Sequence, residues 1–229
     1  MRFDVVTIFP EFFSGPLSCG LLKRAMAAGV ASVFIHNLRD YAEGAHLQVD
    51  DTPYGGGPGM VMKPEPIWRA IESLSAVGEE KPLVILLSPQ GSRLDQATAF
   101  RYATARRLLL ISGRYEGVDH RVAEHMVDEE LSIGDYVLAG GEIAALVVIE
   151  AVTRLIPGAV GNPDSVKAES FVEGILDYPQ YTRPPEFRRW GVPEELLSGN
   201  HARVDRWRHE QAEKRTRINR PDLFHHVHG

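Results

Sequence analysis

Apolar runs alternate with amphipathic segments along the first 155 residues of the chain. The runs MRFDVVTIF, ASVFIHNL, LVILLS, RRLLLISG and the strand-like ELSIGDYVL are typical of buried strands. Helical spacing appears between and after them, in PLSCGLLKRAMAAG, PEPIWRAIESLSAV, DQATAFRYATA, GVDHRVAEHMV and GGEIAALVVIEAVTRLI. This alternation predicts an α/β fold, with a parallel sheet flanked by helices on both faces.

The composition changes from Pro157 onward. The stretch PGAVGNPDSVKAESFVEG holds few large apolar residues and many glycines, prolines and charges, which is typical of a linker. Beyond it, PEELLSGNHARVDRWRHEQAEKRTRI is polar and helical, with a thin apolar stripe. We therefore predict an α/β domain over 1–160, an interdomain linker over 161–175 and a small helical domain over 176–229.

The charge of the chain is unevenly distributed. The net charge of −6 argues weakly against a generic nucleic-acid binder. From Arg183 to Gly229, however, ten Arg and Lys face seven Asp and Glu, whereas 1–182 holds 15 against 24. A C-terminal segment with a net charge of +3 indicates contact with a polyanion, although a solvated helical surface explains the charge equally well.

Cysteine content and hydropathy bear on the compartment. Cys19 is the single cysteine, which excludes an internal disulfide and a cysteine-based metal site. Residues 1–30 lack a signal pattern, and no stretch approaches the roughly 18 apolar residues of a membrane span. We expect a cytoplasmic protein that does not enter a membrane.

The glycine-rich stretch DDTPYGGGPGM at 50–60 suggests several kinds of site. A phosphate-binding loop of the Walker type needs a lysine directly after its last glycine, and here Met60 follows Gly59. The dinucleotide fingerprint fits poorly because Pro58 interrupts it. Asp50 and Asp51 lack further metal ligands at a recognisable spacing. From the residues alone, a sharp turn with positive-φ glycines is favoured.

Two further patterns concern histidines and strand ends. His120 and His125 resemble an inverted zinc motif, but their spacing is one residue too long, which favours surface histidines. The segments LLSPQG (86–91), ISGRYEG (111–117) and SIGDYVLAGGE (132–142) each follow a strand. Because ligands gather at the carboxyl ends of parallel strands, the three loops together predict a small-molecule pocket built largely of backbone.

Several ordered blocks carry a resemblance that spans nearly the whole chain. They are FDVVTIFPEFF, DDTPYGGGPGMVMKPEP, LLSPQG, ISGRYEGVDHRV, SIGDYVLAGGEIAALVVIEAVTRLIPG, SFVEGILDYPQYTRPPEF, LLSGNHARVDRWR and RTRINRPDL. With these blocks the chain resembles the bacterial tRNA (guanine-N1-)-methyltransferases, the TrmD family of the SPOUT superfamily. The resemblance implies a deep C-terminal trefoil knot in the α/β domain, which general rules of topology would not predict.

The resemblance also implies a reaction and partners. The expected activity is transfer of a methyl group from S-adenosyl-L-methionine to guanine N1 in tRNA, at the guanosine immediately 3′ of the anticodon when another guanosine precedes it. A homodimer with active sites at the subunit interface is expected. The donor-binding positions are Leu86, Leu87, Ser88, Pro89, Gln90, Gly113, Tyr115, Glu116, Ile133, Gly134, Asp135, Tyr136, Val137, Leu138, Gly140 and Gly141.

The catalytic pair implied by the resemblance is Glu169, as the base that removes the N1 proton, and Arg154, which stabilises the resulting charge. The family commonly has Asp at the former position. The extra methylene of Glu moves the carboxylate by about 1.5 Å, a shift on the scale that matters in catalysis. A tRNA-binding protein without catalysis is therefore the second hypothesis, and a nucleotide-dependent oxidoreductase is the third.

Residues on the RNA side complete the expectations. No metal site is predicted, and an assisting divalent cation is not predictable from the sequence. Gln180 stands where the family often has a histidine. A basic C-terminal group, Arg203, Arg206, Trp207 and Arg208, is expected to grip the RNA. The substrate-binding positions are Asp50, Pro58, Gly59, Ser165 and Asp177.

Overall fold

The computed structural model describes residues 1–78, 80–162, 166, 169–172 and 174–228, with the backbone alone at 225–228. The chain divides into two compact units, Met1–Gly161 and Asn162–Gly229. Ser165, one of the predicted substrate-binding residues, lies outside the described residues. The assignment of 1–160, 161–175 and 176–229 to a catalytic domain, a linker and a tRNA-binding domain stays a prediction.

The first unit is built on a five-stranded parallel sheet. In space the strand order is β2-β1-β6-β5-β7, and every neighbouring pair is parallel. A separate antiparallel pair joins β3 to β4. The strands are β1 (Arg2–Thr7), β2 (Ser32–Asn37), β3 (Asp50–Asp51), β4 (Val61–Met62), β5 (Leu83–Arg93), β6 (Arg107–Ser112) and β7 (Glu129–Ser132). The predicted α/β class with a parallel sheet is confirmed, and the trefoil knot stays a prediction.

Helices cover both faces of the sheet because alternate strand residues point to opposite sides. Phe3, Val5 and Leu110 belong to a core that includes residues of α2, α4 and α6. Val6, Leu109 and residues of α3 and α5 form the other core. The helices are α1 (Ser14–Leu17), α2 (Gly20–Ala27), α3 (Pro64–Ser75), α4 (Gln96–Thr104), α5 (His120–His125) and α6 (Glu142–Thr153), with 3₁₀ turns at Pro10–Phe13 and Leu38–Tyr41.

Two predicted elements of this unit have different limits. The segment expected as one helix from Pro16 is divided, because Gly20 has a φ of 59° and a new helix begins there. The strand expected across ELSIGDYVL ends at Ser132. Beyond it Gly134 has a φ of 150°, and the Tyr136 amide donates to the Gly134 carbonyl at 2.9 Å, so the chain turns back on itself. The alternating apolar residues after Ser132 therefore lie in a loop and not in a strand.

The second unit contains a small hairpin and helices. The segment predicted to be helical over 193–218 is interrupted, because Gly199 has a φ of 69° and the Asn200 side chain accepts a hydrogen bond from the Arg203 amide. A new helix therefore begins after Asn200. The elements are β8 (Glu186–Phe187), β9 (Trp190–Gly191), α7 (Glu194–Leu197), α8 (His201–Asn219) and a 3₁₀ helix at Pro221–His228. Among the described residues, no helix has the length and apolar character needed to cross a membrane.

A buried carboxylate ties three strands of the sheet together. Asp4 on β1 is fully buried and accepts hydrogen bonds at 2.8 Å from Arg107 Nε on β6 and from Arg2 Nη2. Its Oδ1 atom also lies 2.8 Å from His36 Nε2 on β2. Burial raises the pKa of Asp4, but the hydrogen bonds from His36, Arg2 and Arg107 outweigh it and hold the pKa well below its ordinary value.

This cluster predicts an acid-dependent loss of stability. Because the pKa of Asp4 is lower in the folded state, its stabilising contribution is complete above the unfolded pKa of 3.8 and disappears as the pH falls below that value. We expect the free energy of unfolding to lose up to about 1.4 kcal/mol per pH unit from this group. Urea unfolding between about pH 5 and about pH 2 measures the slope. Asp4→Asn is expected to flatten it, whereas Asp40→Asn, at an exposed position, is the control; equal slopes in both variants contradict the assignment.

Candidate functional site

A cavity of about 280 Å³ opens at the carboxyl ends of β5, β6 and β7. Its walls come from the second half of β5, the loops that follow β6 and β7, and the first turns of α5 and α6. The segment LLSPQG, predicted to follow a strand, is thus part of β5, which extends to Arg93. Fifteen of the sixteen residues predicted to bind the donor line it. The exception is Asp135, whose side chain is exposed and lies 3.9 Å from Arg93 Nη1. The structure thus brings together residues that are up to 55 positions apart in sequence.

Glycines allow the backbone segments around the cavity to approach closely. A Cβ atom on Gly91, in the last part of β5, would overlap the backbone of Glu130 and Leu131 on β7. A Cβ atom on Gly141 would stand 2.8 Å from the Cα atom of Ser112, and the Gly141 amide donates to the Gly113 carbonyl at 2.9 Å. Two of the predicted loops are therefore held together by direct backbone contact.

Arg114 connects the same two loops through its side chain. Its Nε atom donates to Glu142 Oε2 at 3.0 Å, its Nη1 atom donates to the Ala139 carbonyl at 3.3 Å, and its guanidinium lies 4.6 Å from the Phe9 ring centroid. Glu142 is buried and also accepts a hydrogen bond at 2.7 Å from Thr7 Oγ1, at the end of β1. The ion pair therefore anchors the cavity wall to the central sheet.

The glycine-rich stretch forms the connection of a short hairpin. Asp50 and Asp51 in β3 pair with Met62 and Val61 in β4, and four glycines of the intervening loop have positive φ, namely Gly55, Gly56, Gly57 and Gly59. The turn expected from the residues alone is confirmed.

The returning arm of this hairpin lies against the cavity wall. The Glu116 amide donates to the Met60 carbonyl at 3.0 Å, and the Met62 amide donates to the Gly117 carbonyl at 2.9 Å. A Cβ atom on Gly59 would overlap the side chain of Glu116, which lines the cavity. The predicted substrate-side loop and the predicted donor pocket are therefore adjacent in one structure.

The chain is similar to known proteins over almost its whole length. A family model described as tRNA (guanine-1)-methyltransferase TrmD matches residues 1–226. The chain belongs to this family. The resemblance found in the sequence blocks is thereby confirmed.

Similar proteins extend over almost the full chain, and each is named tRNA (guanine-N(1)-)-methyltransferase. One from Dehalococcoides mccartyi is 50% identical over 227 residues, covering 99% of this chain and 92% of that protein. One from Cyanothece sp. is 54% identical, covering 98% and 93%. One from Gloeobacter violaceus is 54% identical, covering 98% of each.

The residues that the methyltransferase family resemblance implies for catalysis lie in different units. Arg154 directly follows α6 in the first unit and is partly buried. Glu169 lies in the second unit and is also partly buried. In that unit, Asp177 accepts hydrogen bonds from the Tyr178 amide at 2.7 Å and from Gln180 Nε2 at 3.1 Å. Gln180 therefore orients a carboxylate that the resemblance places on the substrate side.

Ten residues that line the cavity are not among the sixteen predicted donor-binding positions, although Arg114, Gly117, Ser132 and Ala139 lie in the predicted loops. His120 was interpreted as a surface histidine, and it is exposed, but it also stands at the cavity rim at the start of α5. Glu130 was not singled out because it lies within a strand, before the loop that carried the pattern. The available signal was its position next to Leu131, close to the carboxyl end of β7. The ten residues are Arg114, Gly117, Val118, His120, Ala123, Glu130, Leu131, Ser132, Ala139 and Ala144.

Within the described parts of the chain, no group of three or more His, Cys, Asp or Glu residues is arranged to hold a metal ion.

Proposed function

We propose that the protein transfers a methyl group from S-adenosyl-L-methionine to N1 of guanine in tRNA, at the guanosine 3′ of the anticodon when a guanosine precedes it. Membership of the methyltransferase family supports the reaction class. The observation that carries the proposal is the convergence of fifteen predicted donor-binding residues on one cavity. The substrate-side hairpin lies against the same cavity through Gly59 and Glu116.

The cavity suits a small donor that carries positive charge. Its volume is close to the lower end of the range for small-molecule sites, about 300–1,000 Å³. Glu116 and Glu130 both line the cavity, and their carboxylates can complement an ammonium or a sulfonium group. When bound, S-adenosyl-L-methionine supplies a methyl group on a positively charged sulfur. Glycine-rich loops expose backbone N–H and C=O groups that can bind its polar edges.

The proposed chemistry begins at guanine N1, which carries a proton in the neutral base. Glu169 accepts this proton, and Arg154 stabilises the negative charge that spreads to O6. With the donor bound, the N1 electron pair would form the bond to the methyl carbon, and the electrons of the broken carbon–sulfur bond would stay on sulfur. The protein thus provides a base and a cation, and the residues of the cavity would hold the donor in position for transfer.

Displacing the Glu116 side chain is expected to weaken donor binding. Gly59 and Gly56 both have positive φ, so Ala at either position strains the backbone, but only at Gly59 does the new Cβ atom overlap Glu116. We expect Gly59→Ala to weaken S-adenosyl-L-methionine binding about tenfold. The displaced Glu116 carboxylate would no longer accept a hydrogen bond from the positively charged donor. Isothermal titration calorimetry measures the affinity. Gly56→Ala serves as the control and is expected to bind as the wild type does; equal weakening in both variants contradicts the role of Glu116.

Recognition of the preceding guanosine is assigned to the hairpin. Asp50 is partly buried in β3, and its carboxylate can accept hydrogen bonds from the N1–H and exocyclic amine of a guanine. Pro58 and Gly59 are exposed on the connecting loop, and Asp177 and Ser165 are assigned to the same substrate. Glycines there leave space for a base that has left the stack.

This assignment predicts a change in selectivity. Asp50→Ala is expected to reduce the preference for guanosine over adenosine at the preceding position by about tenfold, without changing donor affinity. Methyl-transfer rates on two transcripts that differ at that nucleotide provide the measurement. Asp51→Ala is the matched control, because this exposed neighbour bonds its own turn through the Thr52 amide. Undiminished selectivity in Asp50→Ala would leave the hairpin as a structural turn.

The proposed enzyme acts on tRNA as a homodimer with each active site built from both subunits. The net charge of +3 from Arg183 to Gly229 favours contact with RNA there. The direct test is methyl transfer to transcripts with and without the paired guanosines, with mass analysis of the product nucleoside. Absence of transfer to the paired-guanosine transcript by folded protein would refute the proposed function.

A further inference from the structure

An exposed aromatic pair stands on the hairpin of the second unit. Phe187 in β8 is directly paired with Trp190 in β9, so both rings lie on the same face. The ring centroids are 6.1 Å apart with an interplanar angle of 43°. The exposed fractions are 59% for Phe187 and 67% for Trp190. The hairpin therefore presents two large rings to solvent.

Arginines surround these rings. Arg188 and Arg189 form the turn, and the Arg188 guanidinium lies 5.6 Å from the Phe187 centroid and 6.0 Å from the Trp190 centroid. The segment 183–191 holds three arginines against Glu186, so its local charge is positive. All of its residues are exposed. Aromatic faces next to guanidinium groups are the combination that binds unpaired nucleotides.

Trp207, which the sequence predicts to contact RNA, instead packs within the second unit. Trp207 on α8 is partly buried and packs against Tyr181, with ring centroids 6.2 Å apart. Its neighbour Arg208 lies 4.8 Å from the Tyr178 centroid and 3.7 Å from Asp205. These side chains make contacts inside the second unit. Of the two tryptophans in this unit, Trp190 on the hairpin is therefore the more accessible one.

We propose that the face formed by Phe187 and Trp190 stacks on an unpaired nucleotide of the tRNA, while Arg188 and Arg189 contact the adjoining phosphates. This inference rests on the proposed function, since it concerns the same RNA. An unpaired nucleotide is required because a base inside a duplex already stacks on its neighbours. A nucleic acid fits better than an apolar protein patch, because phosphates neutralise the two arginines that any partner would cover.

The test measures how tightly a set of variants binds fluorescently labelled tRNA, by anisotropy. Trp190→Ala is expected to weaken RNA binding about tenfold, and Trp190→Phe about twofold or less, because the latter keeps a ring. Ile218→Ala is the control, since Ile218 on α8 is 68% exposed but lies outside the hairpin. The double change Arg188→Ala and Arg189→Ala is expected to reduce the slope of log affinity against log salt by about 1.4.

The outcomes separate this inference from the proposed function. Affinity within twofold of the wild type for both Trp190→Ala and Phe187→Ala overturns the stacking face. So does a change in sedimentation of the free protein with unchanged RNA affinity, which assigns the rings to a protein contact. Donor affinity is expected to stay constant in every variant. If the wild-type protein binds tRNA through the hairpin but does not methylate it, the proposed function fails and the stacking face stands.

Discussion

Glu169→Gln is expected to reduce the single-turnover rate of methyl transfer to tRNA by about 10²–10⁴-fold. The amide is nearly the same size as the carboxylate but cannot accept the guanine N1 proton, so the nucleophile is not generated. S-adenosyl-L-methionine affinity is expected to stay unchanged, because Glu169 lies outside the cavity lining. Rapid-quench assays with labelled donor give the rate, and calorimetry gives the affinity.

The control for this prediction is Glu169→Asp. The shorter carboxylate is the residue that the family resemblance associates with this position, so substantial activity is expected. A Glu169→Gln variant as fast as the wild type would remove Glu169 from the role of base. A wild-type protein that binds donor and tRNA but shows no turnover would favour the binding protein without catalysis instead.

Gly91→Ala is expected to destabilise the protein by about 3 kcal/mol, lowering the Tm by about 6–12 °C. The new Cβ atom would overlap the backbone of Glu130 and Leu131, and backbone within a sheet cannot move aside as a flexible side chain does. Because β5 and β7 both contribute to the cavity, separating them is also expected to weaken donor binding. Calorimetric melting and donor titration measure the two effects.

Gly15→Ala provides the comparison for the Gly91 variant. Gly15 lies in α1, and a Cβ atom there meets nothing within 4 Å, so the Tm is expected to stay the same or rise slightly. If Gly91→Ala has the same Tm as the wild type, the sheet edge adjusts to the new Cβ atom without loss of stability.

The continuous apolar strands were the most predictable part of the fold. RRLLLISG became β6, which is buried throughout, and LVILLS became the first half of β5, buried over residues 84–87, whereas the second half of β5 is largely exposed. Such runs have few alternatives in a soluble α/β domain. The two-residue strands β3, β4, β8 and β9 were missed, because two residues carry no periodic pattern.

The segment after β7 shows where pattern reasoning gives the wrong element. Ile133, Tyr136 and Leu138 suggested a longer strand, but Gly134 turns the chain, and a Cβ atom there would overlap the Tyr136 ring. Apolar residues are present because this loop lines a cavity, and periodicity does not distinguish a cavity wall from a strand.

Loops of the candidate site were predictable from strand ends, whereas their supporting contacts were not. The rule that ligands gather at carboxyl ends grouped the three segments correctly in space, although LLSPQG lies inside β5 and does not follow it. The bond from Thr7 to Glu142 joins residues 135 positions apart, and a sequence gives no local signal for such a pairing. The sequence predicts an RNA contact for Trp207 but not for Trp190, because the burial that decides which ring is accessible is not readable from the sequence.

The hydrogen bonds between the glycine-rich hairpin and the cavity wall have a thermodynamic consequence. Met60 and Met62 share backbone bonds with Glu116 and Gly117, so a ligand that shifts one segment shifts the other. Such coupling is reciprocal by linkage: the factor by which bound RNA alters donor affinity equals the factor by which bound donor alters RNA affinity. Four titrations, in which each ligand is titrated into the protein with and without the other, form a thermodynamic cycle. The cycle gives the coupling free energy between the two ligands.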